Sequence, residues 1–447
     1  MTATLPELLS GGPYQSYTYG YPHKTAYRPL TRLVPLRDAW AAENRQNLFL
    51  YLHIPFCEMR CGFCNLFTVA NAPVSLERAY LDALERQMEV VRDALDVATF
   101  SRLAIGGGTP TYLEAPELER VFDLLDTHFG VAGLPASVET SPATATPERL
   151  RLLAERGVSR VSIGIQSFLE SEVRGVGRAQ SNAEVFAALD GIRAAGLPGL
   201  NIDLIYGLAH QTPQTWLESL ETALTWTPEE LFLYPLYVRP LTGIGRLGRT
   251  WDDERLGRTW DDERLELYRL GRDFLLSRGY LQTSMRRFQK ASLPLESEPE
   301  YTCQLDGMVG LGCGARSYTR HLHYSSEYAV GRVGVREIIQ DFVEQPAERF
   351  GQITHGIHLS EDERRRRYAL QSLLHISGLN LRAYQQEFAS DALADFPQLA
   401  TLPETDLARL QTGTLTLTPA GLEQSDALGP WLYSPTVRKL SEEYEWS

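Results

Sequence analysis

From residue 47 onward the chain alternates between two hydrophobic periods. Short apolar runs recur at 48–55 (LFLYLHIP), 102–106 (RLAIG), 136–140 (ASVET), 160–166 (RVSIGIQ), 200–206 (LNIDLIY) and 231–237 (LFLYPLY). Such runs predict strands. Between and after them, at 75–94, 116–129, 146–156, 181–195, 213–226 and 262–278, apolar residues return at helical spacing. Six β–α repeats with long helical connections predict an α/β fold whose sheet is parallel, either open or rolled toward a barrel. Such sheets place their chemistry at the C-terminal strand ends, and here those ends carry polar, Gly and Cys residues.

The flanks read differently. Residues 1–46 are rich in Tyr, Pro and Arg with weak periodicity, which predicts an irregular arm. Residues 47–280 form the β–α core. Residues 281–358 hold short strand-like and Gly-rich pieces, expected to extend the core and shape a substrate region. Residues 359–447 hold a helical stretch (360–390), then a short helix, the strand-like TLTLT and a helix start, which predicts a winged-helix-like module. The nonapeptide LGRTWDDER at 247–255 recurs unchanged at 256–264. That period is too short for a solenoid and reads as a tandem duplication tolerated at the surface.

Composition narrows the function. A formal net charge of -14 argues against non-specific binding to nucleic acid or an anionic membrane. The sequence has no 18-residue apolar run and no basic-then-apolar leader, so a cytoplasmic location is expected. The five cysteines are odd in number, which does not suggest a disulfide framework. Three of them lie within eight residues: Cys57, Cys61 and Cys64, spaced CxxxCxxC just after the first strand. Three thiolates on one loop can hold three irons of a 4Fe-4S cube and leave the fourth iron open to a ligand. A zinc site would more often use four ligands in two separated pairs.

At this point the sequence resembles a known family. CxxxCxxC after a first strand, with an aromatic at Phe63, is similar to the radical S-adenosylmethionine (SAM) superfamily. The words YLHIPFC (51–57), GGGTPT (106–111), ETSP (139–142), SIGIQSF (162–168) and NIDLIYGL (201–208) resemble the oxygen-independent coproporphyrinogen III oxidase group. That group includes heme chaperones and class C radical SAM methyltransferases. The resemblance is strong over 47–245 and weaker through GLGCGAR (310–316) and the C-terminal module.

The resemblance implies a partial (β/α)6 radical SAM barrel, a 4Fe-4S cluster on Cys57, Cys61 and Cys64, and one or two SAM molecules. Gly106, Gly107, Gly108 and Thr109 would let the backbone approach SAM, or simply make a tight turn. Glu139 would meet its ribose or sulfonium. Gln166, Arg178 and Asp203 match positions that hold a second SAM in the oxidase branch. Tyr51 resembles a tyrosine placed near the sulfonium, and His53 beside it reads equally as a core histidine. Tyr51 and Arg316 are the candidates for direct participation in catalysis, with Arg316 also a SAM contact. A flavodoxin- or ferredoxin-type electron donor, a small-molecule or peptide-derived substrate and a monomeric state are expected.

The departures bear on the reaction. The oxidases carry a further Cys just after the triad, where this chain has Asn65, Leu66 and Phe67. The chaperones carry a His-Asn and Tyr-Trp word, where this chain reads YTCQLDG (301–307). Two-SAM methyl transfer to an unsaturated carbon is therefore the favoured reading, with oxidative decarboxylation and heme handling as alternatives. Cys303 and Cys313 have no family counterpart. His321 and His323 would share a strand face without a visible third ligand. A winged-helix regulator sensing the cluster would need a basic recognition face, and the acidic C-terminal module offers none.

Overall fold

The computed structural model describes residues 4–247, 259–293 and 303–445. Of the duplicated nonapeptide, 248–258 lie outside the described residues, as does the side chain of Cys303, while 259–264 of the second copy open the helix Trp260–Ser277. The chain divides into two compact units, one gathering residues 28–250 and 296–357, the other 1–27, 251–295 and 358–444.

In the larger unit the strands are β1 (Arg28–Pro35), β2 (Leu48–Ile54), β3 (Phe100–Gly107), β4 (Ala136–Thr140), β5 (Arg160–Gln166), β6 (Gly199–Tyr206), β7 (Glu230–Pro235), β8 (Met308–Leu311), β9 (Arg316–Tyr318), β10 (Leu322–Ser325) and β11 (Gln352–His358). Their order is β1-β11-β10-β9-β8-β2-β3-β4-β5-β6-β7. Strands β2 to β7 are parallel neighbours in sequence order. This is the six-stranded parallel sheet expected from the repeats, and among the described residues it does not close on itself. The helices α1 (Val74–Leu95), α2 (Ala115–Phe129), α3 (Pro147–Glu155), α4 (Asn182–Ala194) and α5 (Pro213–Leu224) connect consecutive strands from β2 on, α1 to β3 and so forth.

Two features lie outside the six repeats. Residues 28–35, expected to be irregular, form β1 and pair with β11. Strand β8 joins β2 in parallel, with Met308 opposite Phe49 and Gly310 opposite Tyr51, so the 281–358 segment widens the sheet.

Each core strand has two chemically distinct faces. Leu48, Leu50, Leu52 and Ile54, Leu103 and Ile105, Val161, Ile163 and Ile165, and Leu200, Ile202 and Leu204 are at most 3% exposed. They alternate with Tyr51, His53, Glu139, Arg160, Ser162, Asn201, Asp203 and Glu230. Since successive strand residues point to opposite faces, one face is an apolar core and the other is polar. Each buried Leu or Ile contributes about 1.5–3 kcal/mol, so the apolar face secures the sheet without help from the polar one.

The smaller unit holds the helices Trp260–Ser277, Glu361–Leu373 and Leu381–Phe388, and a three-stranded sheet of Leu379–Asn380, Thr414–Leu417 and Ala408–Gln411. Helices followed by a short hairpin match the winged-helix-like expectation. Buried charge networks fix its N-terminal segment: Tyr21 donates to Glu363, whose other oxygen accepts from Ser434 Oγ at 2.6 Å. Arg286 pairs with Asp426, and both are under 5% exposed.

Candidate active site

The cysteine loop leaves β2 through Pro55. Its ends are tied by a short parallel ladder in which Phe56 pairs with Val69 and Cys57 with Ala70. Cys57 is buried, Cys61 and Cys64 are half-buried, and all three are free thiols. Two turns hold the middle of the loop. Gly62 N–H donates to Val176 O at 2.9 Å, and Ile244 N–H donates to Gly62 O at 2.8 Å. A Cβ at Gly62 would sit 2.5 Å from Val176 O, so only glycine allows this approach.

Two donors point at the sulfurs. Thr109 Oγ1 lies 3.5 Å from Cys57 Sγ, and Arg178 Nη1 lies 3.2 Å from Cys61 Sγ. Burial raises both thiols above the ordinary cysteine range, and the Thr109 hydroxyl and Arg178 guanidinium oppose it. Metal ligation requires the thiolate, and these donors favour that form. Among the described residues no three His, Cys, Asp or Glu side chains are gathered to share one ion. Three free thiols on one loop, two of them with aimed donors, fit a cube that takes one thiolate per iron. Phe63 is half-buried on the same loop.

The glycine word after β3 fills the space beside this loop. Gly108 N–H donates to Ile54 O at 2.8 Å and Thr109 N–H to Phe56 O at 2.7 Å. A Cβ at Gly108 would meet Phe56 O at 2.5 Å and Cys57 Sγ at 2.9 Å. Gly107 has φ +115°, and its missing Cβ is replaced by the His53 ring at 2.7 Å. Gly107 N–H donates to Glu139 Oε2 at 3.0 Å.

Tyr51, His53, Glu139 and Arg316 converge on the polar face. Phe67 O can only accept, so His53 Nε2, 3.0 Å away, carries a proton. That leaves Nδ1 to accept from Tyr51 OH at 3.3 Å. The tyrosine's acidity is weakened by burial and by Glu139, and restored in part by Arg316. Gly310 stands between Tyr51 on β2 and Arg316 on β9, so no side chain separates the two. The Glu139 carboxyl opens to this face, yet the protein packed around it pushes it up to about 7; the Gly107 N–H pulls the other way, and Asp203 adds to the rise.

Asp203 sits one strand-row further along. Asn201 Nδ2 donates to its Oδ1 at 2.7 Å and Ser162 Oγ to its Oδ2 at 3.4 Å. Burial raises it to about 6 against these bonds and Arg160. Arg160 pairs with Glu230 at 2.9 Å and reaches Ser137 Oγ at 2.9 Å. Ser162, Asn201 and Arg160 were not among the expected site residues, although their signal was present as polar positions alternating inside apolar strands. Gln166 has φ +71° at a register shift of β5, a conformation costing a non-glycine residue about 1–3 kcal/mol. Arg178 bridges the two regions, since Nη2 also donates to Gly164 O at 2.6 Å.

Other expected residues stand apart. Cys313 is 1% exposed beside the Tyr80 hydroxyl and lines a different cavity of about 580 Å³, with Val309, Phe342 and His355. His323 is fully buried against Tyr318, whereas His321 is exposed, so they do not present one face.

The radical SAM superfamily model matches residues 51–223. An oxygen-independent coproporphyrinogen III oxidase of Paracoccus denitrificans is 31% identical over 318 residues, covering 66% of this chain and 68% of that one. The corresponding oxidase of Synechocystis is 32% identical over 256 residues, and the chain spans about half of its length (55%). The structure of Escherichia coli coproporphyrinogen III oxidase, HemN, described as a radical SAM enzyme, superposes with a TM-score of 0.79 at 25% identity, covering 93% of this chain and 96% of that one.

Proposed function

From a chain that belongs to the radical SAM superfamily, within the oxygen-independent coproporphyrinogen III oxidase group, we propose an oxidoreductase acting on a carboxylate-bearing tetrapyrrole of the coproporphyrinogen class. When bound, a 4Fe-4S cluster and SAM supply a 5′-deoxyadenosyl radical that abstracts hydrogen from the substrate. The observation carrying the reading is the meeting of three thiols and their two aimed donors with a polar strand-end face bearing Tyr51, Glu139, Asp203 and Arg316.

In this reading Cys57, Cys61 and Cys64 hold the cluster, and Thr109 and Arg178 stabilise the thiolates. Gly107, Gly108, Thr109 and Glu139 line the place of the first SAM, with Phe63 over the loop. Gln166, Arg178, Asp203 and Arg316 line the place of a second. A Glu139 carboxyl with affinity for a proton near neutrality can accept hydrogen bonds from ribose hydroxyls or balance a cation. Tyr51, tied to His53, keeps its proton and can donate to a substrate oxygen. The Arg316 guanidinium can pair a propionate in bidentate fashion.

Methyl transfer is a second reading. It is favoured by the stretch Asn65, Leu66 and Phe67, which follows the triad where the oxidases carry a further cysteine. Anaerobic reconstitution with iron, sulfide, SAM, dithionite and coproporphyrinogen III separates the two. Formation of 5′-deoxyadenosine with a decarboxylated product is expected. S-adenosylhomocysteine and a methylated product would move the assignment to the second reading. Absence of SAM cleavage with an intact cluster would refute both.

A further inference from the structure

Two buried residues of the polar face have no role in the reading above: Ser162 on β5 and Asn201 on β6. We propose that they are positioning residues for Asp203, holding its carboxylate in the charged form and in the orientation that receives SAM. The proposal rests on the reading of Asp203 as a SAM contact.

The three side chains close a ring across two paired strands. Asn201 Nδ2 donates to Asp203 Oδ1 and to Ser162 Oγ, each at 2.7 Å, and Ser162 Oγ donates to Asp203 Oδ2 at 3.4 Å. The strand register brings them together, with Ser162 opposite Asn201 and Gly164 opposite Asp203. Chemistry sets the direction of every bond. A carboxylate only accepts, so the Asn201 amide must present Nδ2. The Ser162 hydroxyl accepts from that amide and has its one proton left for Oδ2. Both carboxylate oxygens thus receive a donor, and each keeps a lone pair for a ligand. Bonds of this kind favour the charged form.

A second observation sets Asn201 apart from a packing residue. It is 1% exposed, and its Oδ1 accepts from no group among the described residues. A buried acceptor left unpaired costs stability. Stability alone would favour an apolar side chain here, so the amide is kept for what its Nδ2 holds.

The charged groups around Asp203 do not replace these two donors. Arg160 on β5 favours the carboxylate and Glu230 on β7 disfavours it, and the two are paired with each other at 2.9 Å. Glu139 on β4 repels it. Arg178 gives its Nη2 to the backbone of Gly164 at 2.6 Å. On β7 the residue opposite Asp203 is Phe232, which donates nothing from its side chain. The carboxyl is left at about 6, so the loss of one donor is enough to carry it across neutrality.

The first readout uses the full chain without cofactors. Urea midpoints are taken from pH 5 to 9 for Asn201→Leu, Ser162→Ala and Ser162→Thr, each also in an Asp203→Asn background. A carboxyl raised above its unfolded value contributes stability that is lost as pH climbs through its folded value. Asn201→Leu should move that loss upward by about one to two pH units. Ser162→Ala should move it less, and Ser162→Thr, which keeps the hydroxyl, should leave it in place. In the Asp203→Asn background none of the three should move it. The second readout is anaerobic equilibrium dialysis of SAM against the reconstituted protein. Asn201→Leu should weaken SAM binding about tenfold at pH 6.5 and leave it nearly unchanged at pH 9, where Asp203 is charged again. The same loss of stability at every pH, with or without Asp203, would make Asn201 and Ser162 packing residues and overturn the proposal. A stability profile that shifts as expected in a protein that binds no SAM would overturn the reading of the site instead, and would keep the two residues as supports of Asp203.

Discussion

Arg178 joins Cys61 to the backbone of β5, donating from Nη1 to the sulfur at 3.2 Å and from Nη2 to Gly164 O at 2.6 Å. A hydrogen bond to a cluster sulfur withdraws electron density and raises the reduction potential. Arg178→Met should therefore keep the fold and the three thiols but shift the potential downward. Arg178→Lys should do nearly the same, because a point charge cannot span both acceptors. An EPR-monitored redox titration checks this, and an unchanged potential in both variants would remove the assigned role.

Gly107 and Gly130 share a positive φ but not a neighbourhood. A Cβ at Gly107 meets the His53 ring at 2.7 Å, whereas one at Gly130 meets nothing within 4 Å. Gly130→Ala should cost about 1 kcal/mol from backbone conformation alone. Gly107→Ala should cost more, about 2–3 kcal/mol, and displace His53. Urea unfolding of the two variants gives the comparison directly.

The raised carboxyls give the protein without cofactors a definite pH response. Glu139 is held up to about 7 and Asp203 to about 6, chiefly by the protein packed around them. Both bind a proton more tightly folded than unfolded, so the unfolded chain releases protons first as pH rises. Their contribution is fully present below the ordinary carboxylate range and is lost as pH climbs through 6 and 7. Relative to the unmodified protein, Glu139→Gln/Asp203→Asn should lose less stability between pH 5 and 7.5. Parallel urea midpoints across that range would contradict it.

In the smaller unit, Asp426→Ala leaves Arg286 charged in a site where both residues are under 5% exposed. Removing one member of such a pair costs about 3–5 kcal/mol. Calorimetry should show that loss in the transition of this unit, while iron content after reconstitution stays unchanged.

The core strands were legible because their signal is local. Leu200, Ile202 and Leu204 alternate with Asn201 and Asp203 within a few residues. Strand β1 gave no such signal: it contains Pro29 and Pro35 and has mostly exposed positions. Strand β8 is short and Gly-containing, and it gains its place only by pairing with β2, far away in sequence. At the site, the cysteine spacing was readable and so was the lone carboxylate of Asp203. The donors aimed at the sulfurs were not, because Thr109 and Arg178 reach Cys57 and Cys61 only once three separate loops have been folded together.

The two-faced strands separate what this fold must conserve from what it can exchange. Substitutions at Leu50, Ile105, Ile163 or Ile202 disturb the folded state and leave the polar face untouched. Substitutions at Ser137, Ser162 or Asp203 alter the polar face and leave the packed layer intact. Neighbouring codons thus answer to different demands, and a descendant can acquire a new substrate one polar residue at a time without passing through an unfolded ancestor.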